Sequence, residues 1–318
     1  LDHSGELIIV DHPSGTLHRL VPNPRQNANA DFPKRLSETG LFADTANHVL
    51  ASGVVPYRVN AELWSDGAIA ERFVALPGDA KLGTYAKTNA QVGYFAGDWQ
   101  FPDGGVLAKT LSLELEPGNP SSRRRVETQV LHFDVDTWKA YNYLWNDDQT
   151  DAVLADNIGS DRAFVGPAMP TTNVSAEAGR LPNRQTWHHA SRTECQLCHT
   201  TRVGSTLGFK SNQLADLASL TAAGLFAEPP KITKPVLPSP HDESAPLEAR
   251  ARAYLHVNCG HCHTRGGGGS SFFDVQFDRP LARTSLIGTR PTQGTFSIAG
   301  AEIIAPGGPY RSVLYYRM

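Results

Sequence analysis

The sequence has few of the residues that would narrow its function. Of 318 residues, four are cysteine and two are methionine, and the net charge is −3, from 29 basic and 32 acidic residues. A nucleic-acid partner favours a strongly basic patch, and the composition offers no basic excess. No apolar run approaches the roughly 20 residues of a membrane-spanning helix. We therefore expect no nucleic-acid partner and no transmembrane segment in this chain.

The few cysteines are not scattered. All four fall within two copies of one pattern, C-x-x-C-H, at Cys195–His199 and Cys259–His263. This pattern is the signature of covalent c-type haem attachment, in which two sulfurs add to the vinyl groups of one porphyrin and the histidine reaches the iron. We predict two covalently attached haem c groups, with His199 and His263 as proximal iron ligands. The predicted cofactor-binding residues are Cys195, Cys198, His199, Cys259, Cys262 and His263.

Two other interpretations of the cysteines stay open. Four cysteines with two histidines could build a zinc site, because C-x-x-C is also a zinc knuckle. Zinc does not explain why a histidine directly follows the second cysteine in both copies. A disulfide or a dithiol redox pair of the thioredoxin type would need a strand before and a helix after each motif, and the flanking sequence does not supply them.

The first half of the chain favours β-structure. Residues 1–24 contain two short apolar segments around turn-forming residues, which predicts a hairpin. It is either an ordinary N-terminal hairpin or the end of an upstream β-propeller. Residues 25–185 follow as a β-rich domain, in which Thr110–Glu116 alternates as a half-buried strand does, and Trp64–Ala68 suits either a turn or the lining of a site. Four of the five tryptophans lie here and are expected in the core: Trp64, Trp99, Trp138 and Trp145.

From Thr186 the sequence changes character. Residues 186–318 are predicted to form a mainly helical, cytochrome c-like region that carries both haems, with a proline-rich connector at 228–246. Leu247 begins an amphipathic helix that runs directly into Cys259. The predicted fold class is therefore α+β, with an antiparallel β-sandwich-like N-terminal domain followed by the helical cytochrome region.

Further segments accompany the two motifs in a fixed order. They are Tyr57–Asn60, Leu63–Ala68, Trp99–Pro102, Lys109–Thr110, Arg125–Thr128, Trp138–Tyr141, Ser191–Arg192, Leu207–Phe209, Gln213–Leu214, Ala249–Leu255 and Pro306–Met318. With them, the chain resembles a family of bacterial diheme c-type cytochromes, several of which are fused to a quinoprotein β-propeller. The resemblance covers most of residues 32–318. Chains of this family usually continue past the segment that ends here at Met318, so we expect part of the second haem pocket to lie beyond it.

The resemblance implies electron transfer in the periplasm or another extracytoplasmic compartment, with a redox partner protein or a fused quinoprotein domain. We expect an electron-transfer protein rather than a stand-alone enzyme. Two alternatives are kept. An empty distal iron site would indicate a catalytic diheme protein of peroxidase type, and zinc in place of haem would indicate a zinc-stabilised binding module.

The distal iron ligands stay open. Candidates within the chain are Met169, which lies in a Met-Pro loop, Met318, His188 and His189. A distal methionine would raise the reduction potential relative to a second histidine. His261 lies between the second pair of cysteines, and we expect it to face solvent.

Overall fold

The computed structural model describes residues 5, 7–11, 15–19, 32–84, 99–135, 137–169, 181–232 and 234–318 of the chain. The chain divides into two compact units, Leu1–Lys34 and Arg35–Met318. The first unit contains an antiparallel hairpin of two short strands, β1 (Ile8–Asp11) and β2 (Thr16–Arg19).

One six-stranded antiparallel sheet forms the base of the second unit. Its strands are β5 (Val54–Tyr57), β6 (Ile69–Ala75), β7 (Val106–Glu114), β8 (Arg123–Asp134), β9 (Thr137–Trp145) and β10 (Ala152–Leu154). The strand order β10-β9-β8-β7-β6-β5 places each strand beside its neighbour in the sequence, as antiparallel pairing through short connections allows. This sheet is compatible with the sandwich-like domain predicted for residues 25–185.

Smaller elements surround the large sheet. Two-stranded sheets are formed by β3 (Phe42–Asp44) with β4 (Val49–Leu50), and by β11 (Ser160–Met169) with β12 (Leu181–His189). The helices in the described part of the chain are α1 (Arg192–Cys198), α2 (Leu217–Ala222), α3 (Leu247–Cys259) and α4 (Val313–Arg317).

The predicted fold class is wrong in its second half. The structure is 30% strand and 17% helix, and no helical cytochrome region is seen among the described residues. The longest of the helices after Thr186, α3, has 13 residues and ends at Cys259 as predicted. The reason lies in the connecting segments. Prolines, which lack a backbone N–H, prevent a helix from forming across 228–246. The glycines at 266–269 disfavour a further helix after the second motif.

The middle strand β7 is buried on both faces. Thr110 and Ser112 point to one face and Leu111 and Leu113 to the other, and all four are at most 3% exposed. The alternation of Thr110–Glu116 predicts a half-buried strand: a strand is confirmed over Val106–Glu114, but the half-burial is wrong. The face that carries Thr110 is covered by the turn between β3 and β4, where His48 Nε2 lies 3.0 Å from Thr110 Oγ1.

The tryptophans divide between core and surface. Trp99 and Trp145 are buried, and Trp138 packs half-buried against the same apolar cluster as Trp99. Trp64 is 61% exposed, so the core prediction is wrong for this residue. It lies in a turn, where its backbone N–H donates to Asn258 Oδ1 at 2.8 Å and so ties the turn to α3.

The buried hydroxyl of Thr128 offers a test of this core. It accepts from the Trp145 indole N–H at 3.0 Å and lies 2.8 Å from Thr110 Oγ1. Thr128→Val keeps the side-chain shape but leaves the indole N–H without its acceptor, so we expect the free energy of unfolding to fall by about 1–3 kcal/mol. Urea denaturation measures it. The control is Thr137→Val at the exposed start of β9, expected to change stability by no more than about 0.5 kcal/mol; equal losses would contradict the prediction.

Candidate functional site

The first motif lies on α1, whose start is fixed by a capping box. The Glu194 N–H donates to Ser191 Oγ at 3.1 Å, and the Ser191 N–H donates to the Glu194 carboxylate at 2.7 Å. The second bond lowers the pKa of Glu194 to about 2. Cys195 and Cys198 stand three residues apart and therefore share one side of the helix, while His199 ends it. All three side chains of the motif line one cavity.

The His199 ring is oriented by a hydrogen bond to the backbone. Its Nδ1 lies 2.6 Å from the Ser205 carbonyl oxygen, and because a carbonyl can only accept, Nδ1 carries the proton. The Nε2 atom then holds a lone pair, which is the form in which an imidazole binds a metal. Burial lowers the pKa of His199 to about 4, so the ring is neutral at neutral pH.

The second motif begins at the end of α3 and continues into a turn, where the His263 N–H donates to the Cys259 carbonyl at 2.8 Å. The His263 ring stacks on Phe273, with centroids 4.1 Å apart and planes at 14°. Gly269 lies so close that a Cβ there would come within 2.8 Å of His263 Nδ1. That nitrogen is buried without a hydrogen-bond partner in the described part of the chain. Packing rather than hydrogen bonding fixes this ring.

The two motifs lie side by side. The Cys198 and Cys262 thiols are within hydrogen-bond distance of each other, and all four cysteines are free thiols. Burial raises the pKa of Cys195 to about 11, and it also raises the pKa of Cys198 and of Cys259. A dithiol redox motif depends on a lowered thiol pKa. These shifts therefore argue against the redox-pair interpretation.

A cavity of about 610 Å³ lies between the first motif and the large sheet. Its floor is one face of strands β5 to β9, and its roof comes from α1, the segment that follows α1, and the end of α3. Ligand and cofactor pockets usually measure about 300–1,000 Å³. The space beside the first motif therefore has the size of a cofactor site.

Two sequence expectations concern the edges of this cavity. His261 was expected to face solvent, but it is half-buried and lines the cavity, and burial lowers its pKa. The sequence of Trp64–Ala68 suits either a turn or the lining of a site. Its Ser65 and Asp66 line the cavity, so this turn does contribute to the site.

A row of polar side chains crosses the cavity floor. In strand register from β5 to β9, the row consists of Tyr57, Arg72, Lys109, Gln129 and Asn142. Burial lowers the pKa of Lys109 to about 8. The Asn142 Oδ1 atom is buried and has no hydrogen-bond partner among the described residues. Buried polar groups are normally satisfied, so this row marks the sheet face as a binding surface rather than ordinary core.

A buried acid–histidine pair lies beside the row. Glu127 and His189 are each 1% exposed, and Glu127 Oε2 lies 3.0 Å from His189 Nδ1. The Gln129 amide donates to the other oxygen of Glu127. A carboxylate on one ring nitrogen fixes the orientation of an imidazole. His189 Nε2 is buried without a partner in the part of the chain that the structure describes, and it is the open position of this pair.

The four expected distal ligands lie in different surroundings. Both ring nitrogens of His188 bond to carboxylates, so neither is open. Met318 is 69% exposed at the end of α4. The backbone of Met169 ends β11, and its side chain lies outside the described residues. Of the four, His189 combines burial with an open ring nitrogen.

Several cavity residues belong to neither C-x-x-C-H motif and were not among the predicted site residues. Lys109 shows a weaker signal, a charge that directly follows the apolar residues Val106–Ala108 of β7, whereas Glu127 shows none because β8 contains many charged and polar residues. His256 precedes Cys259 by one helical turn of α3. Its Nδ1 accepts from the Phe277 N–H at 3.3 Å, so its Nε2 carries the proton and can donate but not coordinate. Burial lowers the pKa of His256 to about 4.

Comparison with known proteins does not assign the chain. It matches no protein-family model, and no matching curated protein or solved structure is found. Within the described ranges, no group of three or more His, Cys, Asp or Glu side chains is arranged to hold a metal ion. No helix of the described residues is long and apolar enough to cross a membrane.

His188 should make stability depend on pH. Its Nδ1 lies 2.6 Å from Asp161 and its Nε2 3.1 Å from Glu194, and these bonds raise its pKa above the ordinary value of 6.5. The charged ring then stabilises the fold below about pH 6.5, and this contribution is lost as the pH rises through the higher folded value. We expect His188→Gln to lower the Tm more at about pH 5.5 than at about pH 8.5.

Thermal unfolding followed by circular dichroism measures this difference. His241→Gln is the matched control, because His241 is exposed, and it should shift the Tm equally at both pH values. A Tm loss in His188→Gln that does not change with pH would refute the role of the charged ring.

Proposed function

We propose that this protein is a diheme c-type cytochrome that transfers electrons, with one haem c attached covalently at each C-x-x-C-H motif. One observation carries this function more than any other. The bond from His199 Nδ1 to the Ser205 carbonyl leaves Nε2 ready to bind iron, beside two thiols on one helical turn. We propose this function without a helical cytochrome c fold.

The first site fits the cofactor. Cys195 and Cys198 reach the same cavity as His199, and the sheet floor forms its far side. When bound, haem supplies a one-electron iron couple whose potential depends on axial ligands, burial and hydrogen bonding. The Ser205 carbonyl orients the proximal ring and increases its basicity.

The second site also fits, in another way. Cys259 packs against a buried apolar cluster, which would give a porphyrin attached there apolar surroundings. The stacking of His263 on Phe273 and the close approach of Gly269 set the ring without a hydrogen bond. The core of this cluster is Leu255, Val275, Leu286 and Ile303.

The contact between Cys198 and Cys262 supports electron transfer rather than two independent catalytic centres. Because these two thiols are in contact, two haems attached through them would be neighbours. Two redox centres at short range suit a protein that passes electrons along. From the family resemblance we infer a periplasmic or otherwise extracytoplasmic location and a redox partner protein or fused quinoprotein domain as electron donor.

A second candidate function is that of a catalytic diheme protein of peroxidase type. The surroundings of the expected distal ligands are the observation that bears on it. His188 is engaged by two carboxylates and Met318 is exposed, whereas His189 keeps an open ring nitrogen; the peroxidase function would apply if no side chain bound the distal side of one iron. Spectra separate the two functions. Low-spin signals from both haems support electron transfer, and a high-spin haem with peroxide turnover supports the peroxidase.

Haem content tests the proposal directly. The full chain is produced with a haem-attachment system in the periplasm of a bacterial host, and haem that survives denaturation is quantified as its pyridine complex. We expect two covalent haems per chain, because each motif supplies two thiols and one imidazole. Replacing Cys195 and Cys198 together by alanine should leave one, and so should replacing Cys259 and Cys262.

The exposed His241 again supplies a control, since His241→Ala should retain both haems. Haem released by denaturation from the unaltered chain would refute covalent attachment. Stoichiometric zinc in the colourless protein would favour the zinc-stabilised module instead.

A further inference from the structure

Two cations lie next to each other on the cavity floor. Arg72 on β6 and Lys109 on β7 are register partners, and both line the cavity. The Arg72 side chain is 9% exposed and bonds to Glu62 at 2.9 Å, a carboxylate that is itself largely exposed. The Lys109 ammonium has no hydrogen bond or ion pair with any residue that the structure describes.

The carboxylates around the cavity form no ion pair with Lys109 among the described residues. Glu127, on the same sheet face, already bonds to His189 and to the Gln129 amide. The other carboxylates that line the cavity belong to exposed residues: Asp66, Glu194 and Asp278. Glu127 and Glu62 raise the pKa of Lys109 through space, but no carboxylate of the described residues bonds directly to its ammonium.

A structural role does not account for Lys109. Lys109 is half-buried, and burial and the neighbouring Arg72 lower its pKa to about 8 although Glu127 and Glu62 oppose that shift. An apolar side chain of similar length would fill the space at no such cost. A buried charge is normally paired, so an anion from outside the protein is the partner that this position lacks.

The position of the pair relative to the first motif indicates which anion this is. The helix α1 lies against β9, where the Arg192 guanidinium donates to the Ala140 carbonyl at 3.0 Å. Lys109 stands two strands away and Arg72 three, which corresponds to about 10 and 14 Å across the floor at the usual strand spacing. A porphyrin tethered at one edge by the thiols of α1 carries its two propionates at the opposite edge. Lys109 is also within electrostatic range of Cys195 and His199, so the cations face the cofactor that the first motif would hold.

We infer that Arg72 and Lys109 form a carboxylate-binding site on the cavity floor. The guanidinium suits a bidentate contact with a carboxylate, and the ammonium supplies a point charge beside it. The inference rests on the proposed function in one respect: with haem in the cavity, the carboxylate is a propionate of that haem. A small carboxylate from solution is the other source of the same chemistry.

The test is the reduction potential of the holoprotein, measured by spectroelectrochemical titration. Removing a positive charge beside a haem stabilises the ferric state. In Lys109→Met we expect one of the two haems to shift towards oxidation by about tenfold in its equilibrium constant, or about 59 mV for one electron. Lys109→Arg should restore the unaltered potential. Lys81→Met, at an exposed position, is the matched control and should change nothing.

Added succinate distinguishes the two sources. If the carboxylate is a propionate, the shift is present without succinate and does not respond to it. If the carboxylate is free, succinate changes the potential of the unaltered protein and not that of Lys109→Met. Either result supports the site. Unchanged potentials in Lys109→Met, together with no response to succinate, would overturn it.

Failure of the proposed function has a different signature. If the chain contains no covalent haem, calorimetric titration of the haem-free protein with succinate replaces the potential measurement. Binding that Lys109→Met abolishes supports the carboxylate site without haem, and absence of binding overturns it. Circular dichroism of each variant excludes unfolding as the cause, which is not expected because replacing a buried charge by an apolar group is often neutral or stabilising.

Discussion

The central strands of the large sheet are covered on both faces, and the rest of the second unit is arranged around this constraint. Consecutive residues of β7 and β8, such as Thr110 and Leu111 or Glu127 and Thr128, are all nearly inaccessible to solvent. Every polar side chain on them needs a partner. On one face the partners are within the protein, as in the contacts of Thr128 with Trp145 and Thr110. On the other face the polar row opens into the cavity, where the described residues leave some of its groups unpaired.

This difference between the two faces gives the two motifs unequal surroundings. The first motif faces the polar floor and has its histidine anchored to a backbone carbonyl. The second adjoins an apolar cluster, and its histidine is held by stacking on Phe273. Two cofactors of one chemical type would thus meet different polarity and different proximal hydrogen bonding, the features by which a protein separates potentials.

Local sequence signals predicted the local elements well. The helix that ends at Cys259 and the antiparallel strands follow from periodicity and turn residues, which act over a few positions. The cavity was not predictable in this way, because its floor joins residues from five strands that alternation alone cannot align. Lys109 is an example: only the register with Arg72 and Gln129 shows that it belongs to a polar row. Trp64 shows the converse, since aromatic character alone suggested burial and the turn that carries it is exposed.

The loss of the predicted helical region does not weaken the case for haem, because the attachment chemistry makes small structural demands. One helical turn aligns two thiols, as α1 does for Cys195 and Cys198. One backbone carbonyl sets the tautomer of the following histidine. The third requirement is an enclosed surface for the porphyrin. A sheet face can supply such a surface as well as packed helices can. A sheet also spaces side chains at fixed intervals across the cofactor, which allows cations on β6 and β7 to stand opposite thiols held beside β9.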